Sequence, residues 1–386
     1  MRIETGHLGK NTQRLTYPIG QSNQTFKTAI DLNACSGILI LMDNTAQHPI
    51  RQVSNPPNPW HSHAMEYLGP PPKTQLELYE DHSRSILTRN DSPDVPFTFS
   101  VNPYRGCYHG CSYCYARNGH SYLDFGTGTD FDRKILYKPE AAALLRKAFD
   151  KPSWQGDQVV FSGVTDCYQP IEASLEKTRE CLMVCREYRN PVGIITRSAL
   201  IERDIPILQD LASIGACSVV LSIPFDDPQH ARAIEPHAPT PARRFRTIER
   251  LHEAGIPVGV NVAPIIPGLN DQAIPTILKK AREAGASHAG MILLRLPGQV
   301  HDVFLARLKH AFPDRAARVM NQLALCRGGQ KNDSRFGHRM RGNGPRWEII
   351  KTMYETWTQR LGYGDSPATP SPSPFRRPGP EQITLF

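Results

Sequence analysis

The chain has 386 residues, of which 39% are hydrophobic and 21% are charged, and its formal net charge is +8 at pH 7. These values are ordinary for a soluble globular protein with one large domain plus tails, or with two modest domains. The longest apolar run, GILILM at residues 37–42, is too short to span a bilayer, and no secretory signal pattern opens the chain. We therefore expect a cytoplasmic protein without membrane contact, whose positive charge permits but does not establish a polyanionic partner.

The two ends of the chain differ in composition from its middle. Residues 1–75 are rich in Asn, Gln, Thr, His and Pro without sustained periodicity, which predicts a poorly ordered N-terminal extension. Residues 363–386 begin with a Pro/Ser-rich stretch that cannot form a packed helix, which predicts a disordered C-terminal tail. Between them we expect a core over residues 76–312 and a helical, Gly/Arg-rich extension over residues 313–362.

The core alternates apolar strand patterns with amphipathic helix patterns. Each of six strand-like runs precedes a helical stretch, and the runs are FTFSV (97–101), QVVFSG (158–163), PVGIITRS (191–198), CSVVLSI (217–223), IPVGVNVAP (256–264) and SHAGMILLRL (287–296). This alternation predicts α/β architecture with a parallel sheet. Because no GxGxxG motif follows the first strand, we expect a full or partial β/α barrel, with its chemistry at the carboxyl ends of the strands.

The loop after the first predicted strand reads RGCYHGCSYCYAR, residues 105–117, and contains Cys107, Cys111 and Cys114. The chain has nine cysteines, an odd number that does not suggest a disulfide framework, so these three are candidate metal ligands. Soft thiolates select iron–sulfur clusters, zinc or copper(I). On a [4Fe–4S] cluster, three cysteines leave one iron open to bind a further ligand; structural zinc and plain core thiols are the alternatives.

The CxxxCxxC spacing after a first strand resembles the radical S-adenosylmethionine (radical SAM) superfamily. IEPHAPTPARRFRTIERLHEAG followed by VNVAPIIPG resembles the spore photoproduct lyase family, and a bacterial family related to the lyase shares NPYRGCxHGCxYCYAR, SGVTDCYQPIE and DSRFGxRMRGxGP. The resemblance implies a partial (β/α)6 barrel of the TIM type, a [4Fe–4S] cluster and S-adenosylmethionine. It also implies reductive cleavage to a 5′-deoxyadenosyl radical, fed by an electron donor such as flavodoxin or ferredoxin.

The same resemblance implies roles for individual residues. Cys107, Cys111 and Cys114 would hold the cluster. The residues expected to contact S-adenosylmethionine are Tyr113 near the adenine, Thr165, Arg197 on the methionine carboxylate, Ser222 and Ala263.

One position departs from the lyase. The lyase has a cysteine that returns a hydrogen atom to the product radical, and Gly163 occupies that place here. Cys167 lies four residues further on and is the candidate catalytic replacement, with a small buried thiol as the alternative. The resemblance therefore supports radical initiation more firmly than an identical repair reaction.

The segment GGQKNDSRFGHRMRGNGPRW, residues 328–347, combines glycines with clustered guanidinium groups. Arg335, Arg339 and Arg341 are candidates for binding nucleic-acid phosphates or another acidic substrate, and a solvated basic loop is the alternative. Together with the lyase resemblance, this segment predicts a radical SAM enzyme acting on nucleic acid, in DNA lesion repair or base modification. A radical enzyme acting on RNA, protein or a metabolite, and a non-catalytic iron–sulfur or zinc nucleic-acid-binding protein, are the other interpretations.

The chain ends in QITLF, which resembles the short motif by which bacterial proteins dock on the DNA polymerase sliding clamp. Gln382, Leu385 and Phe386 would be the anchors, presented by the preceding Pro/Ser-rich tether. We therefore expect the sliding clamp as a partner.

Overall fold

The computed structural model describes residues 76–330 and 332–379, together with the backbone of a short strand, β1 (Arg14–Leu15). The predicted N-terminal extension, apart from β1, and the predicted clamp motif lie outside the described residues. Among the described helices, none is long and apolar enough to cross a membrane.

The main sheet of the described chain consists of six parallel strands and one antiparallel edge strand, β3 (Leu87–Arg89). The parallel strands follow one another in space as β4 (Phe99–Val101), β7 (Val159–Phe161), β8 (Val192–Thr196), β9 (Cys217–Ser222), β10 (Val258–Ile265) and β11 (His288–Leu293). The spatial order of these strands is also their order along the chain, as in a half-barrel. The predicted partial (β/α)6 barrel is confirmed.

The strands form where the sequence is apolar on both sides of the backbone. In β7, Val159, Val160 and Phe161 are all buried, and β8 and β9 show the same pattern over most of their length. Strands covered by helices on one face and by the barrel interior on the other read as continuous apolar runs. This is why composition alone located all six.

Helices follow the strands and cover the outer face. The six that follow the parallel strands are α2 (Ala141–Phe149), α4 (Lys177–Glu187), α5 (Ile205–Ala212), α7 (Pro241–Glu253), α8 (Ile274–Glu283) and α9 (Val300–Ala311). The helix α7 begins where the hydroxyl of Thr240 accepts the amide of Arg243 and Pro241 enters the first turn, a combination that satisfies the helix start.

The remaining helical segments are short turns between these elements or belong to the C-terminal extension. They are α1 (Thr129–Arg133), α3 (Glu172–Leu175), α6 (Pro228–Ile234), α10 (Pro313–Leu325), α11 (Gly344–Arg360) and 3-10 turns over Tyr115–Leu123, Ala199–Asp204 and Asp271–Ala273.

A second, smaller sheet was not predicted. Its strand order is β1, β2 (Glu77–Glu80), β6 (Lys134–Tyr137) and β5 (Tyr104–Arg105), and β2 runs parallel to β6. Strands of two to four residues are too short to show a period of two in sequence. This sheet flanks the segment that leads into the cysteine loop.

The prediction of a disordered C-terminal tail is wrong for residues 363–379. The segment is not helical, as expected, but it packs on the domain: the Phe375 ring lies 6.0 Å from that of Phe149 and 6.2 Å from that of Tyr188. The guanidinium of Arg377 also donates to three backbone carbonyls, including that of Trp154 at 3.0 Å. The prediction of disorder rested on the Pro/Ser content of the segment. It missed the contacts of Phe375 and Arg377, which anchor the segment on the domain.

The docked tail crosses the amino ends of the strands. Gly364 bridges to His288 at the start of β11, and the hydroxyl of Ser373 donates to the carbonyl of Gly156, just before β7, at 2.7 Å. The tail therefore lies at the opposite end of the barrel from the carboxyl ends of the strands.

Candidate active site

A cavity of about 230 Å³ opens at the carboxyl ends of the parallel strands. Eight of the predicted site residues line it, namely Cys107, Cys111, Tyr113, Cys114, Thr165, Arg197, Ser222 and Ala263. They come from the cysteine loop and from the ends of β7, β8, β9 and β10. Because parallel strands end at the same edge, residues more than 150 positions apart in sequence reach one cavity.

The cysteine loop is held by its own backbone and by one buried arginine. The amide of Gly110 donates to Cys107 O and that of Cys114 to Cys111 O, both at 3.2 Å. Arg117, which is 1% exposed, donates to Cys111 O at 2.9 Å and to the carboxylate of Asp132 at 2.8 Å. The loop is thus fixed in place without using its thiols.

Glycine is required at the start of this loop. Gly106 has a φ of +79°, and a Cβ there would lie 2.9 Å from Lys134 O and 2.9 Å from the ring of His120. A side chain would collide with this backbone and would also be strained by the left-handed conformation. The short strands β5 and β6 therefore set the position from which the three cysteines follow.

Two of the three cysteines, Cys107 and Cys111, are buried, and Cys114 is partly exposed. Burial raises the pKa of Cys111 to about 12, although Arg197 opposes the shift. Burial also raises the pKa of Cys114, against the opposing charge of Arg117. Free thiols at this site therefore stay protonated at neutral pH, and a metal centre that replaces the protons converts them into thiolate ligands.

The donor set fits an iron–sulfur cluster better than a single metal ion. Within the described residues, no three His, Cys, Asp or Glu side chains converge to hold one ion. Cys107, Cys111 and Cys114 nevertheless all line the same cavity. Soft thiols that share a cavity without converging on one point would suit a multi-iron cluster, whereas structural zinc requires its ligands to converge.

A buried charge network adjoins the thiols. Glu235 is 1% exposed and accepts from the hydroxyl of Tyr113 and from Arg244 at 2.5 Å, while Nε of Arg197 lies 3.6 Å away. Burial alone would raise the pKa of Glu235, but Arg244 and Arg197 outweigh it and hold the pKa below its usual value. The carboxylate thus stays ionised and fixes the Tyr113 ring against the cavity.

Arg197 has binding capacity that the protein does not use. Its backbone amide donates to Asp166 at 2.9 Å, but Nε of its buried guanidinium has no hydrogen-bond partner among the described residues. The side chain lines the cavity and faces Glu235 only at 3.6 Å. An anionic ligand in the cavity would satisfy this donor, which fits the predicted contact with a methionine carboxylate.

The smaller predicted contacts are positioned by the backbone. The hydroxyl of Thr165 donates to Tyr104 O at 2.9 Å, and the carbonyl of Ser222 accepts from Arg244 at 2.9 Å. Ala263 precedes a cis proline at the end of β10. All three residues line the cavity, and their contact with S-adenosylmethionine stays a prediction.

Cys167 is not brought to the cavity. Its side chain is 1% exposed and packs in the main core, and the residue is absent from the cavity lining. Its amide donates to Ser162 at 2.9 Å. The position taken by cysteine in the lyase, Gly163, does line the cavity, but a Cβ there would lie 2.9 Å from the Cβ of buried Ser100. A side chain at position 163 would therefore collide with Ser100, which explains the glycine there.

The predicted basic residues do not form one phosphate-binding track. Arg335 pairs with Asp333 at 2.8 Å, and Arg339 pairs with buried Asp94. Arg341 is exposed and has no carboxylate within 4.0 Å among the described residues. Two of the three guanidinium groups are thus paired within the protein, Arg335 with a carboxylate of its own segment and Arg339 with one 245 positions earlier.

Three residues of functional interest were missed. Tyr115 lines the cavity, is 47% exposed, and donates its hydroxyl to Gly163 O at 2.6 Å. Arg295 lines the cavity just beyond β11, and Glu235 organises the buried network described above. A polar residue at the end of a barrel strand was a usable signal for Arg295, and the IEPHAP stretch was one for Glu235.

A parallel half-barrel with three thiols at the carboxyl ends of its strands defines an α/β-barrel enzyme of the cluster-binding type. A family model described as the radical SAM superfamily matches residues 101–281. An uncharacterized protein of Mycobacterium tuberculosis is 35% identical over 246 residues, which cover 63% of this chain and 72% of the relative. The chain belongs to the radical SAM superfamily.

Further comparisons concern an archaeal relative and the fold. An uncharacterized protein of Methanocaldococcus jannaschii is 30% identical over 198 residues, which cover 51% of this chain and 71% of that protein. Spore photoproduct lyase complexed with dinucleoside spore photoproduct superposes with a TM-score of 0.52 at 13% identity, over 77% of this chain and 86% of the lyase chain. At this identity the likeness is one of fold.

Superfamily membership confirms several predictions. Radical SAM enzymes use a [4Fe–4S] cluster and S-adenosylmethionine, so these are the cofactors of this chain, and the protein is an enzyme. Superfamily membership therefore favours an enzyme over the alternative interpretation, a non-catalytic iron–sulfur or zinc nucleic-acid-binding protein.

Proposed function

We propose that this protein is a radical SAM enzyme whose substrate is nucleic acid, in lesion repair or base modification. The observation that carries the proposal is the composition of the cavity at the carboxyl ends of the strands. The three thiols and Arg197 line it, and so do Tyr115 and Arg295, which contact each other. The thiols and Arg197 suit the cofactors, whereas an aromatic ring beside an arginine suits a nucleotide.

The residues assigned to the cofactors have defined tasks in this proposal. Cys107, Cys111 and Cys114 hold the cluster, and Arg197 binds the carboxylate of S-adenosylmethionine through its unpaired Nε. Glu235 keeps Tyr113 oriented beside the cofactor. When bound, the cluster and S-adenosylmethionine supply a 5′-deoxyadenosyl radical that abstracts a hydrogen atom from the substrate.

The nucleic-acid assignment draws support from charge and from fold. The chain is basic, with a formal net charge of +8, and its fold is that of a lyase whose complex contains a dinucleoside photoproduct. The lyase's donor cysteine has no counterpart at Gly163, and Cys167 lies in the core. The hydrogen-return step therefore differs from that of the lyase.

Anaerobic reconstitution tests the proposal. Protein loaded with iron and sulfide, reduced with dithionite and supplied with S-adenosylmethionine, is expected to form 5′-deoxyadenosine and to alter an added nucleic acid. UV-irradiated DNA, undamaged DNA and RNA are compared by mass spectrometry of the nucleosides. Formation of 5′-deoxyadenosine with every nucleic acid unchanged would contradict the substrate class and leave a protein or metabolite substrate.

We also propose that the C-terminal residues Gln382, Leu385 and Phe386 dock on the DNA polymerase sliding clamp, and that a flavodoxin or ferredoxin supplies the electron. The described part of the tail is anchored through Arg377 at the amino ends of the strands, at the opposite end of the barrel from the cavity. Deleting residues 382–386 is expected to abolish clamp binding in surface plasmon resonance. Equal binding by the truncated and full-length proteins, or no binding by either, would refute the docking.

A further inference from the structure

Arg295 is a cation in the cavity without a counter-ion. It lies just beyond β11, and no carboxylate of the described residues lies within 4.0 Å of its guanidinium. Its contacts are the thioether of Met340, at 3.4 Å from Nη1, and the ring of Tyr115, 5.2 Å from the guanidinium carbon. A thioether is a weak acceptor, so most of the five donors of this side chain are unused.

The surrounding charges do not compensate Arg295. Burial and the neighbouring cation of Arg339 lower its pKa, and Asp94 and Tyr115 oppose this only in part. Asp94 is already engaged, since it accepts from Arg339 and from the amide of Gly337 at 2.6 Å. A partly buried guanidinium without a carboxylate partner is stabilised by an anion that a ligand brings to it.

The adjacent aromatic ring narrows the class of ligand. Tyr115 is 47% exposed, lines the cavity, and is held by its hydroxyl on Gly163 O and by the Arg295 guanidinium over its ring. An exposed ring beside an arginine binds a nucleotide through two separate contacts, base on ring and phosphate on guanidinium. An acidic peptide would use the arginine and leave the ring without a planar partner.

The size of the cavity determines whether single-stranded or duplex nucleic acid can enter it. Arg295 and Tyr115 share a cavity of about 230 Å³ with the three cysteines, and a duplex is too wide to enter it. A reacting base reaches this place only from a single strand or after leaving the stack.

We propose that Arg295 and Tyr115 form the substrate subsite of the cavity, where Arg295 binds one phosphodiester of an unstacked strand and Tyr115 supports the adjoining base. The proposal rests on the nucleic-acid function put forward above and specifies how that substrate is held. It assigns the phosphate contact to Arg295, which lines the cavity, rather than to Arg339, which pairs with Asp94, or to the exposed Arg335, which pairs with Asp333 and does not line the cavity.

Binding of a fluorescent single-stranded octanucleotide to anaerobic, cluster-loaded protein with S-adenosylmethionine but no reductant tests the subsite. Arg295→Ala is expected to weaken binding about tenfold at low salt, the loss of one charged hydrogen bond. It is also expected to make the slope of log K against log salt shallower by about 0.7, the value for one phosphate on a single strand. Arg318→Ala removes an exposed arginine from α10 and is the charge-matched control, with the slope of the wild type.

Replacing single phosphodiesters of the octanucleotide by a neutral linkage identifies the phosphate that Arg295 contacts. Octanucleotides carrying one methylphosphonate at successive positions are expected to bind the wild type more weakly at one position. The affinity of Arg295→Ala is expected not to change when the methylphosphonate is at that position. Arg295→Lys, which keeps the charge, is expected to restore the salt slope of the wild type. Thermal melting of each variant verifies the fold.

The outcomes separate this proposal from the proposed function. If the wild type binds the octanucleotide and Arg295→Ala leaves the salt slope unchanged, the subsite is refuted and the nucleic-acid function stands. If the wild type binds no oligonucleotide, both are refuted. Displacement of the octanucleotide by a glutamate octapeptide at equal concentration would refute the choice of phosphodiester.

Discussion

Protein carrying Cys111→Ala is expected to hold no stable [4Fe–4S] cluster after reconstitution and to form no detectable 5′-deoxyadenosine. Cys111 is one of three thiols on the cavity wall, and each is expected to bind one iron of the cluster. Because the loop is held by its backbone and by Arg117, removing one thiol leaves the fold in place and removes only a ligand. Iron and sulfide content, the electron paramagnetic resonance spectrum of the reduced protein, and nucleoside chromatography provide the measurement.

Cys217→Ala is the matched control for this variant. Cys217 is also buried, but it begins β9, at the end of the sheet away from the cavity. Loss of its sulfur should cost about 1 kcal/mol of core packing and leave cluster and activity intact. A Cys111→Ala protein with full iron content, or a Cys217→Ala protein without it, would contradict the assignment of the cluster ligands.

The barrel and the cluster loop could be predicted because their signals are local. Each parallel strand is a continuous apolar run, and Cys107, Cys111 and Cys114 lie within eight consecutive residues. The strands of the small sheet were missed because two to four residues carry no measurable period. Local sequence patterns thus located the cysteine loop but not the small sheet that flanks it.

The pairing of the candidate substrate-binding arginines could not be predicted, because it depends on which carboxylates the fold brings to each of them. Arg339 was assigned to phosphate from the charge of its segment, but its partner Asp94 lies 245 positions earlier. Arg295 and Arg335 carry the same charge, and only the fold shows that Arg335 pairs with Asp333 whereas no carboxylate of the described part of the chain lies within 4.0 Å of Arg295. The availability of a charge is a property of tertiary structure, so composition could not distinguish these arginines.

Glu235→Ala is expected to destabilise the protein by about 3–5 kcal/mol, the cost of removing one partner from a buried ion pair. The carboxylate is 1% exposed and lies between Arg244, at 2.5 Å, and Arg197, at 3.6 Å. Without it, Arg244, itself 1% exposed, is left charged and uncompensated. Urea unfolding of the anaerobic apoprotein gives the change in the free energy of unfolding.

Glu202→Ala is the control for burial, since Glu202 also joins two arginines, Arg243 and Arg250, but these are 38% and 46% exposed at their side chains. Water can solvate the two released guanidinium groups, so a loss of about 1 kcal/mol or less is expected. Equal losses of stability for the two substitutions would show that burial does not increase the contribution of the Glu235 ion pairs.

The pH dependence of stability separates the charge of Glu235 from its shape. The folded-state pKa of Glu235 is held below the usual value of 4.5, so its ionisation stabilises the fold above that pH and the contribution is lost as pH falls through the folded pKa. Glu235→Gln keeps the size and one acceptor but never ionises. The stability difference between wild type and Glu235→Gln is therefore expected to be constant from neutral pH down to about 4.5 and to shrink below it. A difference that does not change with pH would mean that Tyr113 and Arg244 need the oxygen atoms of Glu235 and not its charge.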